Sequence, residues 1–138
     1  MKRNSRLSLA LHTLSHMSIN SGHVQTSAEI AQHVGTNPVV VRRVLGRLRE
    51  AGLLKSKKGH SGGWVLAKPA SNISLADVYL ALGERVVSTG RLQDRQSSCA
   101  VENVIWKQVS SILRDIEDSL VQRLEETLLT DINKSSGE

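Results

Sequence analysis

The sequence predicts a mostly α-helical fold with one small β-hairpin and a long helix near the C terminus. Apolar residues recur at spacings of three and four along most of the chain, which is typical of helices that bury one face. A glycine-rich turn between two short apolar runs predicts the hairpin. The chain has 138 residues, enough for one domain with an appended helix, and its core must be aliphatic because it contains no Phe.

The first helix is predicted over about residues 5–19, with apolar positions at Leu7, Ala10, Leu11, Leu14 and Met17. This stretch is basic and then apolar, like a signal peptide, but polar residues interrupt it and no small-residue cleavage site follows. No apolar run approaches the roughly 20 residues that span a bilayer. We therefore expect the protein in the cytoplasm, with no membrane partner.

A helix-turn-helix is predicted next. Its first helix begins at a capping Thr26 or Ser27 and ends at Gly35. Its second helix begins after Asn37, a suitable N-cap, carries a proline at its first position and ends at Gly52. Only about three residues join the two helices, which is the spacing of a helix-turn-helix.

The second of these helices has an apolar face and a basic face. Positions at i, i+3, i+4 and i+7 should pack inward: Val41, Val44, Leu45 and Leu48. At about 100° per residue the opposite side carries Val39, Arg43, Gly46 and Glu50, with Arg42 and Arg47 on the flanks. Arginine suits both phosphates and guanine edges, and a glycine leaves room for a phosphate backbone. A merely solvated face would mix more acids among the bases, so the pattern favours DNA recognition.

Charge is distributed unevenly along the chain. Residues 1–70 carry 11 Lys and Arg against two acids, a net charge of +9, whereas residues 71–138 carry seven against 11, a net charge of −4. A basic segment of this kind binds nucleic acid mainly by releasing counterions from phosphates. The N-terminal half is therefore expected to meet a polyanion, and the C-terminal half to do something else.

The hairpin follows the basic helix directly. The strands are LLKSK and GGWVLA, and KGHSG forms the tip. Glycines let the tip approach a surface closely, so that Lys57 and Lys58 can enter a minor groove while His60 and Ser61 add hydrogen bonds. Trp64 is expected to anchor the hairpin to the domain rather than to stack on a base. A helix-turn-helix followed by such a hairpin is a winged helix.

The second half of the chain predicts two further helices. SNISLADVYLALG gives a short helix capped by Ser74. From about residue 99 to residue 126, apolar residues recur at spacings of three and four, over a length of about 40 Å: Val104, Ile105, Val109, Ile112, Leu113, Ile116, Leu120 and Leu124. A second copy of the chain would cover the apolar face that a small domain leaves exposed, and packing on its own domain is the alternative.

These elements predict a winged helix-turn-helix plus a long C-terminal dimerisation helix. The winged helix-turn-helix DNA-binding domain covers residues 1–83, a flexible sensor loop covers residues 84–98, and the dimerisation helix and C-terminal tail cover residues 99–138.

The chain resembles the Rrf-two type of bacterial winged-helix regulators (IscR-, NsrR- and CymR-like) over about two thirds of its length. The wing signature G-x-x-G-G-[aromatic]-x-L and the helix signature I-[ST]-L-x-[DE]-V both occur, in the family's order, at Gly59, Gly62, Gly63, Trp64, Leu66 and at Ile73, Ser74, Leu75, Asp77, Val78. The resemblance implies a homodimer that binds a palindromic operator on double-stranded DNA, usually as a repressor. It further implies that Val39, Arg42 and Arg43 reach base edges and that Lys58 enters the minor groove.

Many members of that family hold an iron–sulfur cluster with three cysteines in the loop before the long helix, and this chain departs from them. Only Cys99 is present, so no iron–sulfur cluster and no other cofactor is predicted. His12 and His16, at i and i+4, could hold a metal in principle, but the sequence offers no third ligand beside them and predicts no metal site.

Cys99 lies where the loop enters the long helix, a position that favours a thiolate, and Arg91 and Arg95 are near in sequence. We hypothesise that oxidation or modification of this thiol modulates DNA binding. The alternative is a regulator controlled by a small effector or a partner protein, in which Cys99 has no redox role.

The predicted function is a sequence-specific DNA-binding transcriptional regulator. A winged-helix module that binds a protein partner is a competing class. An enzyme is not predicted, because GHSGG matches a hydrolase elbow in letters only and precedes a strand instead of a helix. The candidate DNA-contacting residues are Ser27, Thr36, Asn37, Val39, Arg42, Arg43, Arg47, Lys57, Lys58, His60 and Ser61.

Overall fold

A computed structural model of the chain describes residues 6–20, 23–58, 62–83 and 98–136, with side chains as far as residue 132. The mostly helical fold with one antiparallel hairpin and a long C-terminal helix is confirmed. The elements are α1 (Arg6–Ile19), α2 (Ser27–Val34), α3 (Pro38–Glu50), β1 (Leu54–Lys57), β2 (Gly63–Leu66), a 3-10 turn (Ala70–Asn72), α4 (Leu75–Leu82), α5 (Ala100–Glu125) and α6 (Leu129–Ser136).

Local capping signals place the ends of the helices where the sequence predicts them. Thr26, and not Ser27, caps α2 by accepting a hydrogen bond from the Glu29 amide, and Gly35 ends that helix in the left-handed region. Asn37 caps α3 through the Val40 amide at 3.0 Å. Ser74 begins α4 with a reciprocal capping box.

The core lies among α1, α2, α3, α4 and the hairpin. The predicted apolar stripe of α3 is buried along its whole length, with Val41, Leu45 and Leu48 fully inaccessible to solvent. Burying one such side chain contributes about 1.5–3 kcal/mol relative to exposure. The stripe therefore fixes which side of α3 faces solvent.

The hairpin is joined to the segment before α2 by backbone hydrogen bonds. β1 and β2 pair with Leu54 opposite Leu66 and Lys57 opposite Gly63. The Trp64 amide donates to the Gln25 carbonyl at 2.8 Å, and a Cβ at Gly63 would lie 2.7 Å from the carbonyl carbon of Gln25. Glycine is thus required at position 63, because any side chain would collide with the neighbouring backbone.

The end of the chain returns to the N-terminal domain. The segment that the sequence analysis assigns to a C-terminal tail contains α6, whose Leu129 is fully buried. The Leu75 amide donates to the Thr127 carbonyl at 2.9 Å, and the Leu129 amide donates to the Ile73 carbonyl at 3.0 Å. The C-terminal end of α5 is therefore held against the beginning of α4.

Candidate nucleic-acid interface

The outer face of α3 presents two arginines to solvent. Arg42 and Arg43 are exposed, and within the described part of the chain neither forms a hydrogen bond or an ion pair. Val39 beside them is 51% exposed. A guanidinium group without an internal partner keeps all five of its N–H donors for an external anion or a base edge.

Arg47, predicted to contact DNA, has an internal partner. Its Nη1 donates to the Leu82 carbonyl at 3.1 Å, at the C-terminal end of α4, where helix carbonyls lack intrahelical partners. A cation at that end of a helix also interacts favourably with the helix dipole. Arg47 therefore connects α3 to α4, and only its remaining donors are left for DNA.

Arg49, which the sequence analysis does not include in the site, connects α3 to the hairpin. Its Nη1 donates to Ser56 Oγ at 3.2 Å, and its guanidinium carbon lies 5.7 Å from the centre of the Trp64 ring. The helical spacing places Arg49 on the flank of α3 opposite Arg47, so its exposure could have been predicted from the sequence. Its contacts with Ser56 and Trp64 could not, because the turn after α3 brings these residues together.

Trp64 anchors the hairpin, as predicted. It is 8% exposed, and its Nε1 donates to Ser27 Oγ at 2.9 Å. Ser27 is thus half-buried at the start of α2, and its hydroxyl can still donate one hydrogen bond outward. Thr36 and Asn37, in the turn between α2 and α3, are exposed.

The lysines of the hairpin are also exposed. Lys57 ends β1, and Lys58 follows it at the start of the tip. His60 and Ser61 lie outside the described residues. The arginines of α3, the turn before α3 and the beginning of the tip are therefore all exposed to solvent.

Gly46 leaves open space on the outer face of α3, since a Cβ added there would meet no atom within 4 Å. Glycine costs a helix interior about 0.5–1 kcal/mol relative to alanine, so Gly46→Ala is expected to raise the free energy of unfolding by about that amount.

Gly46→Gln should fold as well as the parent but bind operator DNA about tenfold more weakly, a loss of about 1.4 kcal/mol. Denaturant unfolding and DNA-binding anisotropy measure these effects, and unchanged DNA affinity in Gly46→Gln would remove this face from the interface.

The long helix α5 has two different faces. Ser110 and Glu117 are buried on one side, where the Tyr79 hydroxyl donates to Glu117 Oε1 at 2.8 Å. On the other side five apolar side chains are 50–67% exposed, and at about 100° per residue they fall within an arc of about 120°. We call them the apolar seam: Val101, Val104, Ile105, Ile112 and Ile116.

The candidate sensor Cys99 is exposed and occupies the N-cap position of α5. Arg91 and Arg95, which the sequence places near it, lie outside the described residues, as does most of the predicted sensor loop. Among the described helices, none combines the length and the apolar character that crossing a bilayer requires.

Comparisons with known proteins match the chain to transcriptional regulators. YwnA of Bacillus subtilis (strain 168), assigned as an HTH-type transcriptional regulator, is 35% identical over 125 residues, which cover 87% of this chain and 91% of YwnA. The crystal structure of a protein assigned as DNA-binding has a TM-score of 0.73 at 30% identity, covering 93% of this chain and 98% of the other. The crystal structure of a transcriptional regulator from Lactobacillus plantarum has a TM-score of 0.81 at 19% identity, covering 96% and 90%, and shows the same fold.

A family model agrees with these relatives and with the resemblance that the sequence motifs indicate. The model, Rrf2, is described as an iron-dependent transcriptional regulator and matches residues 3–135. The family and the relatives are regulators and not enzymes, as the sequence analysis predicts. The chain belongs to the Rrf2 family of DNA-binding transcriptional regulators.

Proposed function

We propose that the chain is a sequence-specific regulator that acts as a homodimer on a palindromic operator, as a repressor. The observation that carries the proposal is the pair Arg42 and Arg43, exposed on α3 without partners in the described part of the chain. Their side chains can reach base edges, while Lys57 and Lys58 hold phosphates or enter the minor groove. Repression follows if the bound dimer covers promoter DNA, and a regulator of operator DNA works in the cytoplasm.

The candidate contacts divide into two groups. Arg42, Arg43 and Val39 point outward from α3 and are proposed to read bases. The others are proposed to position the protein on the backbone: Ser27, Thr36, Asn37, Arg47, Lys57, Lys58, His60 and Ser61. Arg47 contributes less than the other arginines, because part of its guanidinium group is committed to Leu82.

A second copy of the chain is the partner that best fits the apolar seam of α5. The seam faces away from the chain's own domain, so packing on that domain leaves it in contact with water. Two antiparallel or crossing copies of α5 would bury both seams and generate a two-fold axis. Two-fold symmetry in the protein matches two half-sites in a palindrome.

Oxidation of Cys99 is the proposed signal. A peroxide would transfer one oxygen to the Cys99 thiolate, its O–O bond would break, and hydroxide would leave a sulfenic acid behind. If the two α5 helices cross near their N-terminal ends, the sulfenic acid can condense with the thiol of the partner's Cys99, forming a disulfide and releasing water. Support for this step comes from the exposure of Cys99 at the N-cap of the helix that carries the apolar seam.

A small effector is the second candidate signal. A cleft of about 680 Å³ lies beside β2, the end of α1 and the 3-10 turn, and Lys57 and Lys68 line it. The two ammonium groups favour an anionic ligand. Because Lys57 is also a candidate DNA contact, such a ligand would compete with phosphate. The cleft also borders Thr130 of α6.

The test is to sequence the DNA fragments that the purified protein retains at about 0.15 M salt, with and without peroxide, for the parent and for Cys99→Ser. We expect a palindromic site whose affinity falls steeply with salt, because phosphate contacts release counterions. Peroxide should change retention by the parent only. Retention of random fragments would overturn operator recognition, and an equal peroxide response in Cys99→Ser would overturn the redox signal alone.

A further inference from the structure

Three histidines from two helices meet at the junction of α1 and α2. His12 and His16 lie one turn apart on α1, and His33 lies in the last turn of α2. Their ring centres are 4.3–5.5 Å apart, and one nitrogen from each ring lies within 4.8 Å of the others. The Nε2 atoms of His16 and His33 are 3.0 Å apart. The sequence offers no third ligand close to His12 and His16, and the packing of α2 on α1 supplies His33.

The environment of His16 favours its neutral form. Burial and the proximity of His33 and His12 lower the pKa of His16 below its ordinary value of 6.5. A neutral imidazole offers a nitrogen lone pair, which is the form that binds metal ions. Of the acidic side chains, Glu29, one turn before His33 on α2, faces the same cleft.

We propose that His12, His16 and His33 bind one divalent first-row transition metal ion, with Zn²⁺ as its representative, through one nitrogen each. Three imidazoles are a ligand set that suits zinc, copper, nickel and cobalt better than the hard cations calcium and magnesium. Zinc–nitrogen bonds of about 2.0–2.1 Å place tetrahedral nitrogens about 3.3 Å apart. The present distances bracket that value, and rotation of the exposed side chains of His12 and His33 is enough to close the site.

The cleft beside the histidines provides a fourth position. It has a volume of about 270 Å³, and its lining includes Thr13, Asn20, Gln25 and Glu29. The Thr13 hydroxyl is buried and has no hydrogen-bond partner among the described residues. A water molecule or the Glu29 carboxylate would complete the coordination.

This site differs from a cysteine-held cluster, because it uses no thiol and lies within one chain. The bound ion would cross-link α1 to α2, which is the first helix of the helix-turn-helix. Because the ion binds only the folded chain, it stabilises that chain by mass action. At a free Zn²⁺ concentration of about 100 times the Kd, Tm should rise by roughly 5–10 °C.

In the test, the metal-free chain is titrated at pH 7.5 with Zn²⁺, followed by calorimetry, and with Co²⁺, followed by visible absorption. We expect one ion per chain and a Co²⁺ spectrum without a thiolate charge-transfer band. His12→Gln, His16→Gln and His33→Gln should each weaken Zn²⁺ binding at least tenfold. His23→Gln replaces an exposed histidine outside the cluster and should bind as the parent does, as should Cys99→Ser.

Undiminished affinity in the three cluster variants, or lost affinity in Cys99→Ser, would overturn the proposal. Circular dichroism of the metal-free variants checks that each is folded, and His12 and His33 are exposed, so their replacement leaves the core intact. Protons compete with the ion, so Zn²⁺ affinity should fall between pH 7.5 and pH 5.5. Operator binding by the metal-free chain is measured separately, so that a failed metal site and a failed DNA interface give different results.

Discussion

The double variant Arg42→Ala/Arg43→Ala is expected to lose about a hundredfold or more in operator affinity, since each bidentate contact to a base contributes about 1–3 kcal/mol. Both side chains are exposed, so the free energy of unfolding should stay close to that of the parent. Anisotropy titrations with the selected operator and with a scrambled duplex, at several salt concentrations, measure the effect. A loss of affinity for the operator alone indicates base contacts. A loss of affinity for both duplexes indicates phosphate contacts, and the slope of log affinity against log salt concentration should then fall by about one per arginine.

Lys107→Ala is the matched control, because it removes an exposed cation from α5, away from α3. It should bind the operator within about twofold of the parent at moderate salt, where distant charges are screened. Arg47→Ala should behave differently from both: it loses the hydrogen bond to Leu82, so it lowers stability as well as affinity. If Lys107→Ala weakened binding as much as the double variant does, the basic face of α3 would have no special role.

The second large effect is expected from Ile105→Glu/Ile112→Glu on the apolar seam. Both side chains are more than half exposed in the single chain, so charged replacements leave its core unchanged. In a dimer they would place four carboxylates in a dry contact, where unpaired charges are strongly destabilising. The variant should be a monomer at micromolar concentration in analytical ultracentrifugation. Its operator affinity should fall by about 10²–10⁴, because the two half-sites are no longer bound by linked domains.

Lys107→Glu is the control for this variant, since it adds an acid to the same helix outside the seam. It should sediment as the parent does. A dimer that survives Ile105→Glu/Ile112→Glu would show that the two copies meet elsewhere, and a monomeric variant with full operator affinity would contradict recognition by a dimer.

Elements that depend on local signals could be predicted from the sequence. Asn37 and the proline after it fix the start of α3, Gly35 fixes the end of α2, and the glycines around residue 62 fix the hairpin. These signals act through backbone conformation within a few residues, so no knowledge of distant contacts is needed. The direction of the α3 arginines also follows, because one buried stripe determines where the opposite side points.

Features that depend on distant contacts could not be predicted. Helix α6 is short and has only a weak apolar repeat, and it is held by Leu129 packing into a core formed by the first 82 residues. The partners of Arg47 and Arg49 lie 35 and seven residues away and become neighbours through packing. The approach of His33 to His16, 17 residues earlier, depends on how α2 crosses α1, which sequence periodicity does not specify.

The bonds that hold the hairpin to its domain also determine which properties of the protein can evolve independently. Gln25, Ser27 and Arg49 all contact Trp64 or the hairpin strands. The winged domain would therefore move as a rigid unit, which cannot lengthen to fit a wider DNA site. In a dimer, the distance between the two winged domains would then be set only by how the α5 helices cross. Substitutions on α3 would change the base sequence that is recognised, and substitutions on α5 would change the spacing of the two half-sites.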